Sequence, residues 1–292
     1  MLETEKGTIN NKHKDRLFNY IFGREENRKW TLQLYNAVNG SHYEDASAIE
    51  FNTLEDVLYI GMRNDTSFLV SDVMSVYEHQ SSYNPNMPLR MMQYVGNLYS
   101  KYLARNKLNK YGSSLIKLPT PKLVVFYNGR TDVDDEVILK LTDSFDENSR
   151  ALSDIEVKVR MLNINYGRNA DLLRACKPLE EYSWFINRIN EILFDQDPKD
   201  IVIATKTAID EIPMDFEIRS FLISHKAEVT GMLDTEYNEA EIKELFVEEG
   251  LQKGIIGCVE LLRSLGLDDV VIAEKIIQQY SLTKEEAAKY LN

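Results

Sequence analysis

No stretch of this 292-residue chain reaches about 18 consecutive apolar residues, and its opening, MLETEKGTINNKHKDRLF, is polar throughout. Neither a membrane-crossing helix nor an apolar export leader is predicted, so the expectation is a soluble, cytoplasmic protein with no membrane partner. Cysteine is scarce. Cys176 and Cys258 stand far apart and match no ligand spacing, which argues against a disulfide framework or a zinc pair and for reduced thiols. Repeats and low-complexity tracts are absent too. Positive charge is in deficit, with 34 Lys and Arg against 47 Asp and Glu for a net of −13, which speaks against a generic nucleic-acid binder. The deficit is uneven: residues 1–150 hold 18 basic against 20 acidic side chains, residues 151–292 hold 16 against 27. A phosphate backbone can approach the first half, whereas the second repels it.

What is present is enough apolar material, 43% of residues, for one good core and a second smaller unit. From Lys14 to about Val38 the apolar spacing predicts two short helices broken near Gly23. Between Ile49 and Gln80 the stretches AIEF, DVLYIGM, TSFLV and VMSVYEHQ read as three or four strands. NPNMPLRMMQYVGNLYSKYLARN follows as a helix with Pro88 in its first turn and a stripe of Leu89, Met92, Val95, Tyr99 and Leu103. KLVVFYNG at 122–129 has the continuous apolar run of a strand buried on both sides. Strand, helix, strand is a crossover unit, so this strand is expected to run parallel to a neighbour. The acidic second half reads as helices at about 178–194, 200–208, 213–225, 239–263, 268–279 and 283–291, the last opened by a TKEE capping box.

The strongest constellation is Asp65, Glu78 and Gln80. The period of two in VMSVYEHQ puts Met74, Val76, Glu78 and Gln80 on one face and Val73, Ser75, Tyr77 and His79 on the other. If strands 65–70 and 73–80 form an antiparallel hairpin about Ser71 and Asp72, Asp65 and Glu78 become cross-strand neighbours at one sheet edge. Two facing carboxylates repel unless a cation or a proton lies between them. Mg²⁺ relieves this with one or two carboxylates plus water and phosphate oxygen, and makes bound water a better nucleophile. Gln80 can position that water, and the helix after the NPNMP turn brings Arg90 and Gln93 over the same edge to meet a phosphate.

NDTSFLV with Asp65, followed by YEHQSSYNPNMPLRMMQYV, resembles the PD-(D/E)XK nuclease superfamily and, within it, the recombination-promoting nuclease (Rpn) and transposase-like family. The likeness covers most of residues 12–195 and continues more loosely into EVTGMLDTEYNEAE and EEGLQKGI. It implies an α/β fold with a restriction-endonuclease-like core, a mixed sheet flanked by helices, followed by a helical C-terminal region. It implies a cytoplasmic endonuclease that hydrolyses DNA phosphodiester bonds with Mg²⁺, or Mn²⁺ in its place. In that resemblance Asp65 and Glu78 hold the metal, Gln80 takes a position that is lysine in many nucleases, Arg90 and Tyr94 match an R-x-x-x-Y on the next helix, and Asp15 is a further metal ligand. The expected organisation is a nuclease-like domain at 1–195, an acidic helical extension at 196–250 and a small helical module at 251–292.

Each feature also has a plainer reading. Glu78 and Gln80 could be solvated edge-strand residues, and Asp65 part of an Asn-Asp turn. Asp15 could serve only as a helix N-terminal charge. His79, by its parity, is expected to pack or hydrogen-bond away from Glu78. Arg90 and Tyr94 could clasp the helix to the sheet through a structural carboxylate. Lys101, Arg105, Lys107, Lys110, Lys117 and Lys122 read as a phosphate track or as a solvated face. The C-terminal 27 residues look like a helix-turn-helix, but three Lys against five acids point to packing or homo-oligomerisation instead of groove binding. The competing expectation to a nuclease is a nuclease-fold protein of weak or no turnover that binds DNA or assembles.

Overall fold

The computed structural model describes residues 17–51, 66–70, 73–196 and 200–291. Two short helices lead in, α1 (Leu17–Phe22) and α2 (Arg28–Asn39), the second closed by Gly40 in the left-handed region at φ 61°. The strands β1 (Ile49–Phe51), β2 (Thr66–Val70) and β3 (Val73–Gln80) follow, then α3 (Met87–Arg105) and β4 (Thr120–Tyr127). After β5 (Glu136–Lys140) and β6 (Lys158–Asn163) come α4 (Ala170–Ala175), α5 (Lys177–Asp195), α6 (Ile201–Asp210) and α7 (Arg219–Ser224). The chain ends in α8 (Lys226–Ser264), α9 (Asp269–Tyr280) and α10 (Lys284–Lys289). It divides into compact units 1–234 and 235–292. The expected strand within DVLYIGM lies outside the described residues, as do Ser71 and Asp72.

Among the described residues the sheet has six strands in the order β1-β2-β3-β4-β6-β5. β1, β2 and β3 pair antiparallel, with Thr66 opposite Tyr77 and Val70 opposite Val73. β3, β4 and β6 run parallel, and β5 returns antiparallel on the far edge. The class is thus α/β with a mixed sheet, and the expected crossover holds, since β4 is parallel to both its neighbours.

The period of two sorts the strand side chains as expected. On one face Met74, Val76, Val125, Tyr127, Val159 and Met161 pack under α3 through Met87, Met91, Tyr94 and Leu98. On the other, Phe126 and His79 meet the Phe18 ring of α1 and His79 also meets Tyr182 of α5, while Tyr77 packs edge-on between Phe68 and Phe126. The buried stripe of α3 differs from the expected one. Leu89 is 45% exposed, and Met92, Val95 and Tyr99 are half-buried. Both rows of this apolar-rich helix fit a helical period. The one seated is the one that carries Met87 beneath the end of β3.

Two further differences concern local chemistry. The helix expected at 213–225 contracts to α7, because Glu181 of α5 accepts the amides of Glu217 and Ile218 at 2.9 and 3.0 Å and fixes where the helix begins. The helix expected at 239–263 is the later part of the 39-residue α8. β5 and β6 carry five and six residues, too short and too mixed to stand out in sequence. The C-terminal unit has its own small core of Ile255, Val259, Ile272, Ile276 and Ala287. The expected capping box is present at Thr283 and Glu286.

Candidate functional site

The carboxyl ends of β3, β4 and β6 lie side by side, the place where open α/β sheets most often present their ligand crevice. β3 delivers Glu78 and Gln80 to this rim on the α3 side, 3% and 5% exposed. The turn after Gln80 reverses the chain, and Arg90, one turn into α3, reaches back. Its Nη2 lies 2.7 Å from Glu78 Oε1. The same guanidinium donates to the Tyr94 hydroxyl from Nη2 at 2.8 Å and from Nε at 3.2 Å. Gln80 Nε2 donates to Glu78 Oε1 at 3.0 Å and lies 2.9 Å from the Met87 sulfur. Gln80 Oε1 is buried and has no hydrogen-bond partner among the described residues.

Glu78, Gln80, Arg90 and Tyr94 therefore form one cluster. Gln93 is exposed on α3 and takes no part in these bonds. Asp65 and Asp15 lie outside the described residues; Asp65 is the sequence neighbour of Thr66, whose partner Tyr77 immediately precedes Glu78. His79 turns to the opposite face, where its ring stacks on Phe18 at 5.2 Å and its Nε2 lies 3.1 Å from the Tyr182 hydroxyl. Among the described residues no three His, Cys, Asp or Glu side chains gather as a metal-ligand group.

Sequence reasoning passed over the asparagines that build the rest of the rim. The Asn128 amide donates to the Gln80 carbonyl at 3.1 Å, carrying the parallel pairing one step beyond the strands. Asn165 Nδ2 donates to the Gly129 carbonyl at 3.1 Å and to Asn163 Oδ1 at 3.0 Å, while Asn163 Nδ2 donates to the Val133 carbonyl at 3.0 Å. These bonds staple the loop after β4 to the loop after β6. A Cβ on Gly129 would sit 2.4 Å from the Ser81 carbonyl oxygen, so only glycine lets the loop lie against the residue that follows Gln80. The signal available was Asn at successive strand ends, in FYNG and in LNINYGRN.

Two other buried groups belong to the scaffold. Burial pushes the Glu181 carboxyl up, against the pull of the two backbone amides and of Lys177, whose Nζ is 3.7 Å away. Its partners mark it as a helix-start anchor. Burial pushes the Cys176 thiol up to about 12, which keeps it protonated and inert as a nucleophile. Among the described residues no helix is long and apolar enough to cross a membrane. Comparison of the chain with protein-family models, with curated proteins and with solved structures finds no match in any of the three.

Proposed function

We propose that the chain is a metal-dependent DNA endonuclease on a PD-(D/E)XK-like core, of the recombination-promoting nuclease and transposase-like type. The observation that carries the reading is the convergence at one strand end. Glu78 and Gln80 share a face at the carboxyl end of a parallel strand, and Arg90 from the crossover helix closes onto the same carboxylate at 2.7 Å. The acid-bearing strand is fed by an antiparallel hairpin and leaves through a helix to a parallel strand, which fits the expected core.

The described donors fit Mg²⁺. The Glu78 carboxylate is a hard oxygen ligand at the strand end, the neighbouring Gln80 turns its Nε2 to that carboxylate and keeps its buried Oε1 without a partner among the described residues, and Mg²⁺ asks for only one or two carboxylates before water and substrate complete its shell. Asp65 is the proposed second carboxylate and Asp15 a proposed further ligand. When bound, the ion supplies Lewis-acid polarisation of a phosphoryl oxygen and a more acidic water. The remaining work falls to the chain. Gln80 is held by its Nε2 bond to Glu78, which leaves its oxygen to accept from and orient a water. Tyr94 fixes the plane of the Arg90 guanidinium, whose charge offsets that of Glu78 and stands at the rim, one-third exposed, where a phosphate would arrive.

A second reading is favoured by one specific feature. Glu78 Oε1 already accepts from two donors, Arg90 and Gln80, and Gln80 brings no positive charge to a developing phosphorane. A carboxylate oxygen already answered by the chain's own cation and amide suits a protein that binds DNA or assembles with weak or no turnover. Supercoiled plasmid separates the two. The endonuclease reading expects nicking in Mg²⁺ or Mn²⁺ that disappears in EDTA and in Asp65→Ala and Glu78→Ala. Nicking that persists equally in all samples removes it. DNA binding with neither cleavage nor calorimetric heat on metal titration selects the second reading.

A further inference from the structure

From His79 to Thr131 the chain carries eight of its 34 Lys and Arg and none of its 47 Asp and Glu. At the chain's average density a run of this length would hold about eight acids, so charge is segregated here. The segment comprises the end of β3, α3, the connection 106–119 and β4. Arg105, Lys107, Lys110 and Lys117 are all exposed, and Arg105 lies 3.6 Å from Glu50 of β1. Arg90, Asn97, Lys101 and Arg105, at steps of seven, four and four, follow one flank of α3 from the Glu78 cluster to the connection. At 1.5 Å per residue the helix spans about 28 Å, room for about eight nucleotides at ~3.4 Å each.

The connection has no regular structure, a length at which loops are commonly functional. It is nevertheless fixed at both ends. The Leu108 amide donates to the Leu103 carbonyl at 2.9 Å, with Lys107 in the left-handed region at φ 53°, and the Tyr99 hydroxyl donates to the Pro119 carbonyl at 2.8 Å. Between these anchors Tyr111 stands 86% exposed and Leu115 84% exposed, flanked by Lys110 and Lys117.

We propose that this segment is the surface on which a nucleic-acid strand lies, with backbone phosphates on Lys107, Lys110 and Lys117 and a base stacked on Tyr111. The partner class rests on the reading of the chain as a protein that acts on DNA. Charge complementarity picks out the connection: every Asp and Glu of this acidic chain lies outside the segment in sequence, and Glu78 and Glu50 meet it at Arg90 and Arg105, which leaves the lysines of the connection to draw a polyanion. An anionic membrane would also attract lysines beside an exposed apolar tip. The exposed Tyr111 ring between the lysines favours a strand instead, because an aromatic face gives a base something to stack on.

The test uses the full-length chain in EDTA, with binding of fluorescein-labelled 20-nucleotide single strands and duplexes followed by anisotropy across a salt series. In Lys107→Gln/Lys110→Gln/Lys117→Gln the slope of log K against log salt falls by about 2 to 3, and affinity at 0.1 M salt drops about 100-fold. The circular dichroism and thermal midpoint of this variant stay at wild type, since the three side chains are exposed. Tyr111→Ser weakens the single strand more than the duplex. Equal affinity and slope in the triple variant overturn the assignment, even if the wild type nicks plasmid in Mg²⁺ and the endonuclease reading stands. Absence of oligonucleotide binding by the wild type, or capture by phosphatidylserine vesicles in its place, overturns it as well. Lysine-dependent binding without metal-dependent cleavage sustains the surface and removes the endonuclease.

Discussion

Replacing Arg90 by methionine isolates what the guanidinium does for Glu78. The carboxylate side chain is 4% exposed and the arginine 33%, so the pair is buried on one side and wet on the other. Stripping one partner from a fully buried pair costs about 3–5 kcal/mol, because the remaining charge stays desolvated. With one-third of the arginine in water the expected loss is about 2–3 kcal/mol. Methionine keeps an unbranched aliphatic stem, which confines the loss to the guanidinium's charge and its bonds to Glu78, Tyr94 and the Met87 sulfur. In a domain of about 150–250 residues this is a fall of about 5–10 °C in the thermal midpoint. Urea unfolding at pH 7 should show a lower midpoint with an unchanged slope. The double variant Glu78→Gln/Arg90→Met should lose at least about 1 kcal/mol less than the two single variants added together, since it leaves no buried carboxylate stripped of its guanidinium. Arg90→Met within about 0.5 kcal/mol of wild type, or strict additivity in the double variant, would refute the buried-pair reasoning.

Two further outcomes are expected. Gly129→Ala should destabilise by about 1–3 kcal/mol in thermal unfolding, because its Cβ meets the Ser81 carbonyl oxygen at 2.4 Å and the Tyr127 ring at 2.6 Å; an unshifted midpoint would show that the loop after β4 does not press on the rim. Hydrogen bonds from Arg160, at 2.9 Å from both Nε and Nη2, hold the Glu136 carboxyl below the usual carboxylate range. A depressed folded value gives stability that is present above the unfolded pKa of about 4.3 and lost as pH falls through the folded value. Glu136→Gln should therefore trail wild type at pH 7, by at most about 1 kcal/mol for so exposed a pair, and the gap should close in strong acid. A gap of the same size at both ends of the pH range would contradict it.

The elements legible in sequence are those whose pattern is local. The alternation in VMSVYEHQ sent Glu78 and Gln80 to one face and His79 to the other, and it did so because side-chain direction in a strand is a property of the backbone alone. The hairpin of β2 and β3, the buried β4 and the Thr283 cap were readable for the same reason. β5 and β6 were not, since five or six residues of mixed character gain their place only when β4 offers β6 an edge and β6 offers one to β5. α3 shows the intermediate case: its existence was plain from Pro88 and the apolar spacing, yet two stripes were compatible and only the seating of Met87 chose between them.

Sequence by itself determined the class of residues available at the rim: an acid, an amide two places on, and an arginine one turn into the next helix, in the only long stretch free of other acids. Tertiary structure decided what they do to one another. Burial beneath α3 turns a solvated glutamate into a charge that must be answered, and the crossover geometry makes Arg90 the residue that answers it. It also decided that Asn128, Asn163 and Asn165 belong to the same rim, because residues far apart in the chain become neighbours only when parallel strands end together.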